Sequence, residues 1–292
     1  MPGNLLNALM ENDTSTNYTL PVPPLTDSML VPFGILMVVE NVISIGLLYI
    51  CTRLSFQIRI MSLNLALSDF LTGIFLSIPN TMLYERYHCD IKKYPSFLFI
   101  TVSLFIVTMM NVDRCFVFVL AMRYYSFINK KLIIKLSVAL WVIGLFVTYG
   151  LFFDVNDEYG ISCIMMSGVK RNIVTFTCKS ILIIIVAFNL VMFVYLIVQI
   201  RRKVGRSSDN KDPTQSTMFA REQTRIARKI SIIIGVFLMA FFPFMIIYTL
   251  PFDSDSAFFK TSYIIVSMML LFNSACNPVF YVWRFTEPRY HL

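Results

Sequence analysis

Seven long runs of apolar residues divide this sequence, and they constrain its fold more than any other feature. The runs fall near residues 29–51, 60–83, 94–120, 136–153, 173–200, 230–250 and 261–283. Each can cross the hydrocarbon core of a bilayer, which takes about 20 helical residues. A single water-soluble core is excluded because only 14% of the 292 residues are charged, against about 25% in soluble domains. With only 10 glycines, the chain is predicted to be an all-α membrane protein, a seven-transmembrane helix bundle rather than a barrel.

The distribution of basic residues predicts the orientation of this bundle. If the N-terminus is outside, an odd number of helices puts the C-terminus and the segments after the first, third and fifth helices in the cytoplasm. Those segments hold most of the 25 Lys and Arg residues, with a dense group between Arg201 and Lys229, as the positive-inside rule requires. The net charge of +8 is therefore expected to face anionic membrane lipid, and no nucleic-acid partner is expected.

The chain is expected to consist of three parts. Residues 1–28 are polar, contain no Lys or Arg and carry glycosylation sequons at Asn12 and Asn17, which predicts an extracellular, glycosylated segment. No leader of the basic-then-apolar type is visible, so the first helix is expected to direct insertion. Residues 29–283 form the membrane domain, and residues 284–292 are expected to begin a short cytoplasmic helix.

A carboxylate in the middle of the second span requires polar partners. Asp69 lies where an unpaired charge costs about 2.5–3.5 kcal/mol. Candidate partners occur at comparable depth in other spans: Asn41, Ser103, Asn273, Ser274 and Asn277. From the residues alone, a hydrogen-bonded structural cluster and a cation site are equally consistent with this pattern.

Prolines inside three spans predict helix kinks. Pro243 in the sixth span, Pro278 in the seventh and Pro79 in the second each remove a backbone hydrogen bond. A kink gives a helix two packings to choose between, as a switch requires, and a static bend is the alternative.

Two of the six cysteines are placed to form a disulfide. Cys89 begins the outer end of the third span, and Cys163 lies in the outer loop between the fourth and fifth spans. Both face an oxidising compartment, so a disulfide is predicted, with two free thiols as the alternative. The other four lie in or beside spans and are expected to be inert small hydrophobes: Cys51, Cys115, Cys178 and Cys276.

Landmarks that recur once per span make the chain resemble the rhodopsin-like G-protein-coupled receptors over nearly its whole length. In chain order they are Asn41, Leu65-Ala66-Leu67-Ser68-Asp69, Cys89 with Asp113-Arg114-Cys115, Trp141, Tyr195, Phe237 with Pro243, and Asn277-Pro278-Val279-Phe280-Tyr281. Each is short, but seven in order on the expected spans are highly specific. The resemblance implies a plasma-membrane receptor that binds an extracellular ligand and activates a heterotrimeric G protein by helix rearrangement.

The resemblance also implies roles for two polar groups. An internal pocket for an allosteric sodium ion, the one cofactor expected, is matched by Asp69, Ser103, Asn273, Ser274 and Asn277. Arg114 matches the family's signalling arginine, which pairs with Asp113 at rest and turns to the G protein when active. The full set implied in coupling and activation is Asp113, Arg114, Met122, Tyr195, Phe237, Phe241, Pro243, Asn277, Pro278 and Tyr281.

Three departures from the family pattern bear on activation. Cys115 replaces the usual tyrosine after the arginine, and Phe241 replaces the tryptophan usually found two residues before the proline of the sixth helix. Gln223 stands where an acid often locks the arginine, with Glu222 beside it. A weak lock, and hence elevated basal signalling, is the hypothesis that follows.

Other details favour a subgroup that contains melanocortin, cannabinoid, lysophospholipid and adenosine receptors. Glu40 replaces the common glycine before Asn41, the fifth helix has no proline, and residues 121–124 resemble the second inner loop of melanocortin receptors. Against a close melanocortin match, those receptors lack the disulfide predicted for Cys89 and have aspartate where Asn277 stands.

The family's geometry implies a ligand cavity at the outer end of the bundle. Its expected residues are Asn80, Ser96, Ile100, Lys179, Phe244, Tyr248, Tyr263 and Ser267. Monoamines and retinal are not expected, because Ser96 replaces the aspartate of amine receptors and Leu271 the lysine of opsins. Lys179 facing inward would attract a carboxylate or phosphate on a lipid, peptide or nucleoside-like ligand. Snorkelling of Lys179 towards the membrane surface is the alternative.

Arrestin is a further partner that the resemblance implies. Little of the chain follows Trp283, so either the protein continues beyond residue 292 or regulation by arrestin rests on the third inner loop. That loop is expected to be mobile over residues 207–217, where turn-forming residues gather.

Two other classes of protein compete with a receptor. An enzyme is not expected, because the two histidines, His88 and His291, lie outside the membrane core and no Gly-x-Ser-x-Gly motif is present. A transporter or channel without G-protein coupling is the alternative, although paired broken helices and internal repeats are not visible.

Overall fold

The computed structural model of the chain describes residues 24–50, 55–79, 86–120, 123–124, 128–151, 173–209, 215–249, 261–262, 264–274 and 277. Within these residues the chain is helical. The helices are α1 (Pro24–Ile50), α2 (Phe56–Leu76), α3 (Arg86–Leu120), α4 (Lys130–Leu151), α5 (Ile173–Asp209), α6 (Gln215–Thr249) and α7 (Ile264–Ser274). The first six are long and apolar enough to cross a membrane, and α7 is a shorter apolar helix over its described residues. The fold is a seven-helix transmembrane bundle, as predicted.

Helix ends depend on capping and on proline, which apolar runs do not reveal. α4 begins at Lys130, six residues before its apolar run, because the Asn129 side chain accepts a hydrogen bond from Leu132 N at 2.8 Å. α2 ends at Leu76, where Ser77 N still donates to Gly73 O at 2.9 Å. The kink predicted at Pro79 is therefore wrong: this proline lies beyond the helix, whose end it favours.

The connection between α5 and α6 is shorter than the sequence predicted. α5 continues to Asp209 and α6 already begins at Gln215, so helix covers both ends of the loop expected over residues 207–217. Serine and charged residues are tolerated at a helix end, so the loss of apolar residues alone did not locate the ends of α5 and α6. Pro213 lies outside the described residues.

α3 is the central helix of the bundle. It packs against α2, α4, α5 and α6, and most of its membrane-crossing segment is buried. In α1, α4 and α5 most side chains are instead at least partly exposed, as expected for helices that face lipid. Any polar residue on α3 must therefore find its partner inside the protein.

Glycines bring α1 and α2 into backbone contact. A Cβ atom at Gly34 would lie 2.6 Å from Ser77 N, and one at Gly73 would lie 2.9 Å from Gly34 O. Small residues commonly allow this kind of approach between membrane helices, where dispersion forces reward close packing. The contact fixes the depth of α1 relative to Asp69, which lies one turn before Gly73.

Candidate functional site

Asp69 joins three helical segments near the centre of the bundle. Its Oδ1 accepts hydrogen bonds from Ser103 Oγ at 3.2 Å and Ser274 Oγ at 2.9 Å, and its Oδ2 accepts one from Asn277 Nδ2 at 2.7 Å. Ser103 is also hydrogen-bonded to Ser68, with 2.8 Å between the hydroxyl oxygens. Asp69 is only 1% exposed, so these neighbours replace the water that its carboxylate would otherwise bind.

Two further predicted partners of Asp69 lie buried without bonding to it. Asn41 donates instead to Met37 O of its own helix at 2.9 Å. Neither amide atom of Asn273, nor Oδ1 of Asn41, has a hydrogen-bond partner among the described residues. Buried polar atoms that lack partners usually bind water or an ion.

The side chains at Asp69 fit a hard cation in their chemistry. The group contains carboxylate, hydroxyl and amide oxygens, which are the ligand types that such ions prefer. The amide oxygen of Asn273 lacks a partner and is therefore available. No group of three or more His, Cys, Asp or Glu residues that suits a transition metal occurs among the described residues.

A second buried carboxylate lies near the C-terminal end of α3. Asp113 Oδ2 accepts a hydrogen bond from Arg114 Nε at 2.9 Å and also contacts Arg114 Nη2. Asp113 Oδ1 accepts a hydrogen bond from the hydroxyl of Tyr124. All three residues are at most 6% exposed, so the positive charge of Arg114 is held inside the protein by Asp113.

Tyr124 is a member of this group that the sequence did not single out. In the sequence, Tyr124 stands out only as part of residues 121–124, which resemble the second inner loop of melanocortin receptors. A phenol hydroxyl needs a partner when the ring is buried, but the sequence does not show which acceptor lies nearby. Gln223, where an acid often stands, has its side chain outside the described residues.

Stacked aromatic rings connect the middle of α6 to α3. The rings of Phe237 and Phe241 stack with centroids 5.2 Å apart, and those of Phe241 and Phe244 meet edge-on at 6.0 Å. Phe244 in turn contacts Phe97 of α3 at 6.3 Å. Pro243 lies inside α6 beside these rings, so the proline and the predicted aromatic residues occupy one continuous contact.

The residues predicted for the ligand cavity are only partly described. Ser96 and Phe244 are buried, while Ile100, Lys179 and Ser267 are partly exposed. Ile100 and Phe244 pack in the same apolar core. Lys179 precedes the buried residues Leu182 and Val186 by three and seven positions, which places it on the flank of α5 that turns towards the bundle.

Several predicted residues lie outside the description. The predictions for Asn12, Asn17, Asn80, Met122, Cys163, Tyr263, Pro278 and Tyr281 fall on residues that are not described, and those for Cys89 and Tyr248 on side chains that are not described. Tyr195 is described and is 38% exposed on α5. Cys115 and Cys178 are free and buried, as predicted.

The chain matches a known family over most of its length. Residues 40–281 match the model of the 7 transmembrane receptor (rhodopsin family). The chain belongs to the rhodopsin family of receptors. Membership implies a multi-pass plasma-membrane receptor for an extracellular ligand that signals through a G protein, and it excludes an enzyme.

Solved structures agree with this fold. The receptor superimposes on the crystal structure of squid rhodopsin with a TM-score of 0.69 at 16% sequence identity, covering 88% of this chain and 80% of that one. No curated protein sequence matches the receptor. At this identity the likeness concerns the fold alone.

Proposed function

We propose that this receptor binds an acidic extracellular ligand between the outer ends of its helices and signals through Arg114 to a heterotrimeric G protein. The observation that carries the proposal is the buried group of Asp113, Arg114 and Tyr124, which holds a charged arginine close to the end of α3. With the N-terminus outside, this end faces the cytoplasm. From this position the guanidinium of Arg114 could turn from Asp113 towards a cytoplasmic partner.

Activation then requires Arg114 to exchange partners. At rest the guanidinium is neutralised by Asp113, whose second oxygen is occupied by the Tyr124 hydroxyl. A movement of α6 at Pro243, which leaves one backbone carbonyl of the helix without its usual donor, would shift Phe241 and Phe244 against α3. Arg114, now facing an open cytoplasmic side, would meet the terminal helix of the G protein, with Tyr195 and Tyr281 beside it.

An allosteric sodium ion at Asp69 is part of the proposal. Asp69, Ser103, Asn273, Ser274 and Asn277 would hold the ion, which would neutralise the buried carboxylate. What supports the ion is the set of oxygen atoms around Asp69 and the unpartnered amide of Asn273. The protein itself would shield Asp69 from bulk water and hold it in place against α3 and α7.

The ligand proposal rests on Lys179. Lys179 lies on the flank of α5 that turns towards the bundle, at a position where the family's geometry expects the ligand cavity, and it is partly exposed. A positive charge at this place would attract a carboxylate or phosphate on a lipid, peptide or nucleoside-like ligand. The subgroup that includes melanocortin, cannabinoid, lysophospholipid and adenosine receptors is proposed on the sequence details given above.

Potency of acidic agonists tests this anchor. Panels of lipids, peptides and nucleosides are screened for nucleotide exchange on promiscuous G proteins, and agonists that carry a carboxylate or phosphate are compared on variants. We expect Lys179→Ala to lower their potency by about 10- to 100-fold, since charged hydrogen bonds contribute about 1.5–3 kcal/mol. Lys179→Arg is expected to retain most potency, and Ser180→Ala, on the neighbouring position, all of it. Equal potency and surface expression for Lys179→Ala would remove the anchor.

Arrestin binding to the third inner loop, anionic lipid along the cytoplasmic side and an extracellular N-terminus complete the proposal. They are supported by the basic residues from Arg201 to Lys229, most of which lie at the adjoining ends of α5 and α6, and by the sequons near the N-terminus. Family membership argues against the competing class, a transporter or channel without G-protein coupling. Solute flux in receptor vesicles without any nucleotide exchange would favour it.

A further inference from the structure

Three polar side chains join α3 to α5 in the interior of the membrane domain. Asn189 Nδ2 donates to Thr108 Oγ1 at 2.7 Å, and Asn111 Nδ2 donates to the backbone oxygen of Asn189 at 3.0 Å. A longer bond of 3.4 Å runs from Asn111 Nδ2 to Asn189 Oδ1. Neither asparagine has any exposed surface. Thr108 is partly exposed, so the two helices are joined by two fully buried asparagines and one partly buried threonine.

The polar group lies within an otherwise apolar surface. On α5 the neighbouring buried positions are Val186, Leu196 and Ile200. An asparagine among such residues destabilises insertion into the membrane, and a leucine there would pack at less cost. Asn189 thus lowers the stability of α5 as a membrane helix. Its side chain donates to Ile185 O of its own helix at 2.9 Å, and the other hydrogen bonds that it forms join α5 to α3.

One atom of the group has no hydrogen-bond partner. Asn111 Oδ1 is buried and accepts no hydrogen bond from any described residue. An acceptor left in this way penalises the observed arrangement. The free-energy difference between this arrangement and a second one, in which the oxygen meets a donor or water, is therefore smaller. The bonds hold the helices together without making their separation prohibitive.

The group also lies about one helical turn before the signalling arginine on α3, because Asn111 precedes Arg114 by three residues. Directly after Arg114, and one turn after Asn111, Cys115 Sγ lies 3.8 Å from Met192 O of α5. The contacts advance in the same direction on both helices, so α3 and α5 run parallel here. If α5 separates from α3 at Asn189, the contact between Cys115 and Met192 would be the next to open.

We propose that Thr108, Asn111 and Asn189 form a polar latch that holds α5 against α3 at rest and opens when the receptor activates. The latch rests on the proposed signalling function, because its opening is assigned to activation. In this proposal the three residues position α5 against α3 and contact neither the ligand nor the G protein. The free energy of one interhelical hydrogen bond in a membrane corresponds to a factor of about 3 to 20 in the open population.

Alkylation of Cys115 measures the latch without reference to a G protein. The full-length receptor in lipid vesicles is treated with N-ethylmaleimide, and the rate at each cysteine is read by peptide mass spectrometry. We expect Asn189→Leu to raise the rate at Cys115 by about 3- to 20-fold, and Thr108→Val to raise it in the same direction. Cys178, also free and buried but nearer the N-terminal end of α5, is expected to react as in the unmodified receptor.

Asn64→Leu is the matched control. It removes another interhelical bond, from Trp141 Nε1 to Asn64 Oδ1 at 3.0 Å, which joins α2 to α4. We expect it to leave both alkylation rates unchanged. Thr108→Val, nearly the same shape as the original side chain, keeps the test decisive if Asn189→Leu does not fold. A Cys115 rate within twofold of the unmodified receptor in the folded variants would overturn the latch, as would an equal rise at Cys178 or in Asn64→Leu.

Ligand-free nucleotide exchange then tests the link to activation. We expect the exchange rate per receptor to rise with the Cys115 rate in both latch variants. A rise at Cys115 with unchanged exchange would overturn the role in activation. If no form of the receptor drives exchange on any G protein, the proposed function fails, and the Cys115 rates still decide whether the latch exists.

Discussion

Two buried aspartates of this receptor have different kinds of partners. Asp69 receives three neutral hydrogen bonds from side chains on α3 and near the end of α7. Asp113 instead receives a positive charge and one hydroxyl. A carboxylate surrounded by neutral donors keeps its charge available for a cation, whereas one paired with arginine is already neutralised. The two sites therefore suit an ion and a switch, respectively.

In the proposed mechanism, the hydroxyl of Tyr124 stabilises the resting state through its hydrogen bond to Asp113. We expect Tyr124→Phe to raise ligand-free nucleotide exchange at least several-fold, because a hydrogen bond to a charged group contributes about 1.5–3 kcal/mol. Tyr149→Phe, at an exposed tyrosine of α4, is the control and should leave exchange unchanged. Lower or equal exchange in Tyr124→Phe at equal surface expression would contradict this role. An unmodified receptor with no ligand-free exchange would remove the hypothesis of elevated basal signalling.

Sodium binding at Asp69 is tested by thermal stability rather than by signalling. A ligand specific to the folded state stabilises it by about 1.4 kcal/mol at a tenfold excess over its Kd. We expect the melting temperature of the purified receptor to be higher in sodium chloride than in choline chloride, and Asp69→Asn to abolish the difference. Asp113→Asn should retain it. Equal melting temperatures in the two salts for the unmodified receptor would argue against the ion.

Packing between elements sets the position of these residues. α1 lies against α2 through Gly34 and Gly73, where an added Cβ atom meets backbone atoms. Gly46, on the same helix, has nothing within 4 Å of such an atom. Gly34 and Gly46 therefore lie in the same helix but differ in the space available around them.

This difference gives a matched pair of variants. We expect Gly34→Ala to lower the melting temperature of the receptor, because overpacking typically costs about 1–3 kcal/mol. Gly46→Ala should leave it unchanged or raise it slightly, since alanine stabilises a helix by up to about 1 kcal/mol relative to glycine. Similar melting temperatures for both variants, measured in the same detergent, would show that the α1–α2 contact is not tight.

How far the elements could be predicted depends on what determines each boundary. Apolar runs located all seven helices, because the bilayer imposes the length of a membrane span. They misplaced the start of α4, which Asn129 caps, and the role of Pro79, which lies beyond α2. Capping and helix termination depend on one or two polar or rigid residues, and these do not change mean hydropathy.

The site was predictable where a residue has few partners to choose from. Asp69 required polar neighbours, and three of the five proposed for it form hydrogen bonds. Tyr124 and Asn189 were not predicted, since their partners lie across helix contacts whose register the sequence leaves open. Asn189 did carry a signal: it is an amide within the apolar run at residues 173–200, and such residues mark function more often than structure.

At the scale of the whole molecule, the receptor is a helix bundle with one buried arginine, Arg114, near the end of its central helix α3. α3 contacts α2, α4, α5 and α6, so a movement of any of them changes the packing of the helix that carries Arg114. The proposed latch joins α5 to α3 one turn before this arginine. The aromatic residues of α6 meet α3 at Phe97, nearer its N-terminal end. Release of Arg114 is thus the event on which the proposed function converges.

Nucleotide exchange by purified receptor tests this account most directly. Receptor in lipid vesicles is mixed with heterotrimeric G proteins, and GDP release is followed for the unmodified chain, Arg114→Ala and Tyr124→Phe, with no ligand added. We predict measurable release by the unmodified chain, several-fold faster release by Tyr124→Phe, and none above the receptor-free rate by Arg114→Ala. Equal release by Arg114→Ala and the unmodified chain would contradict the account.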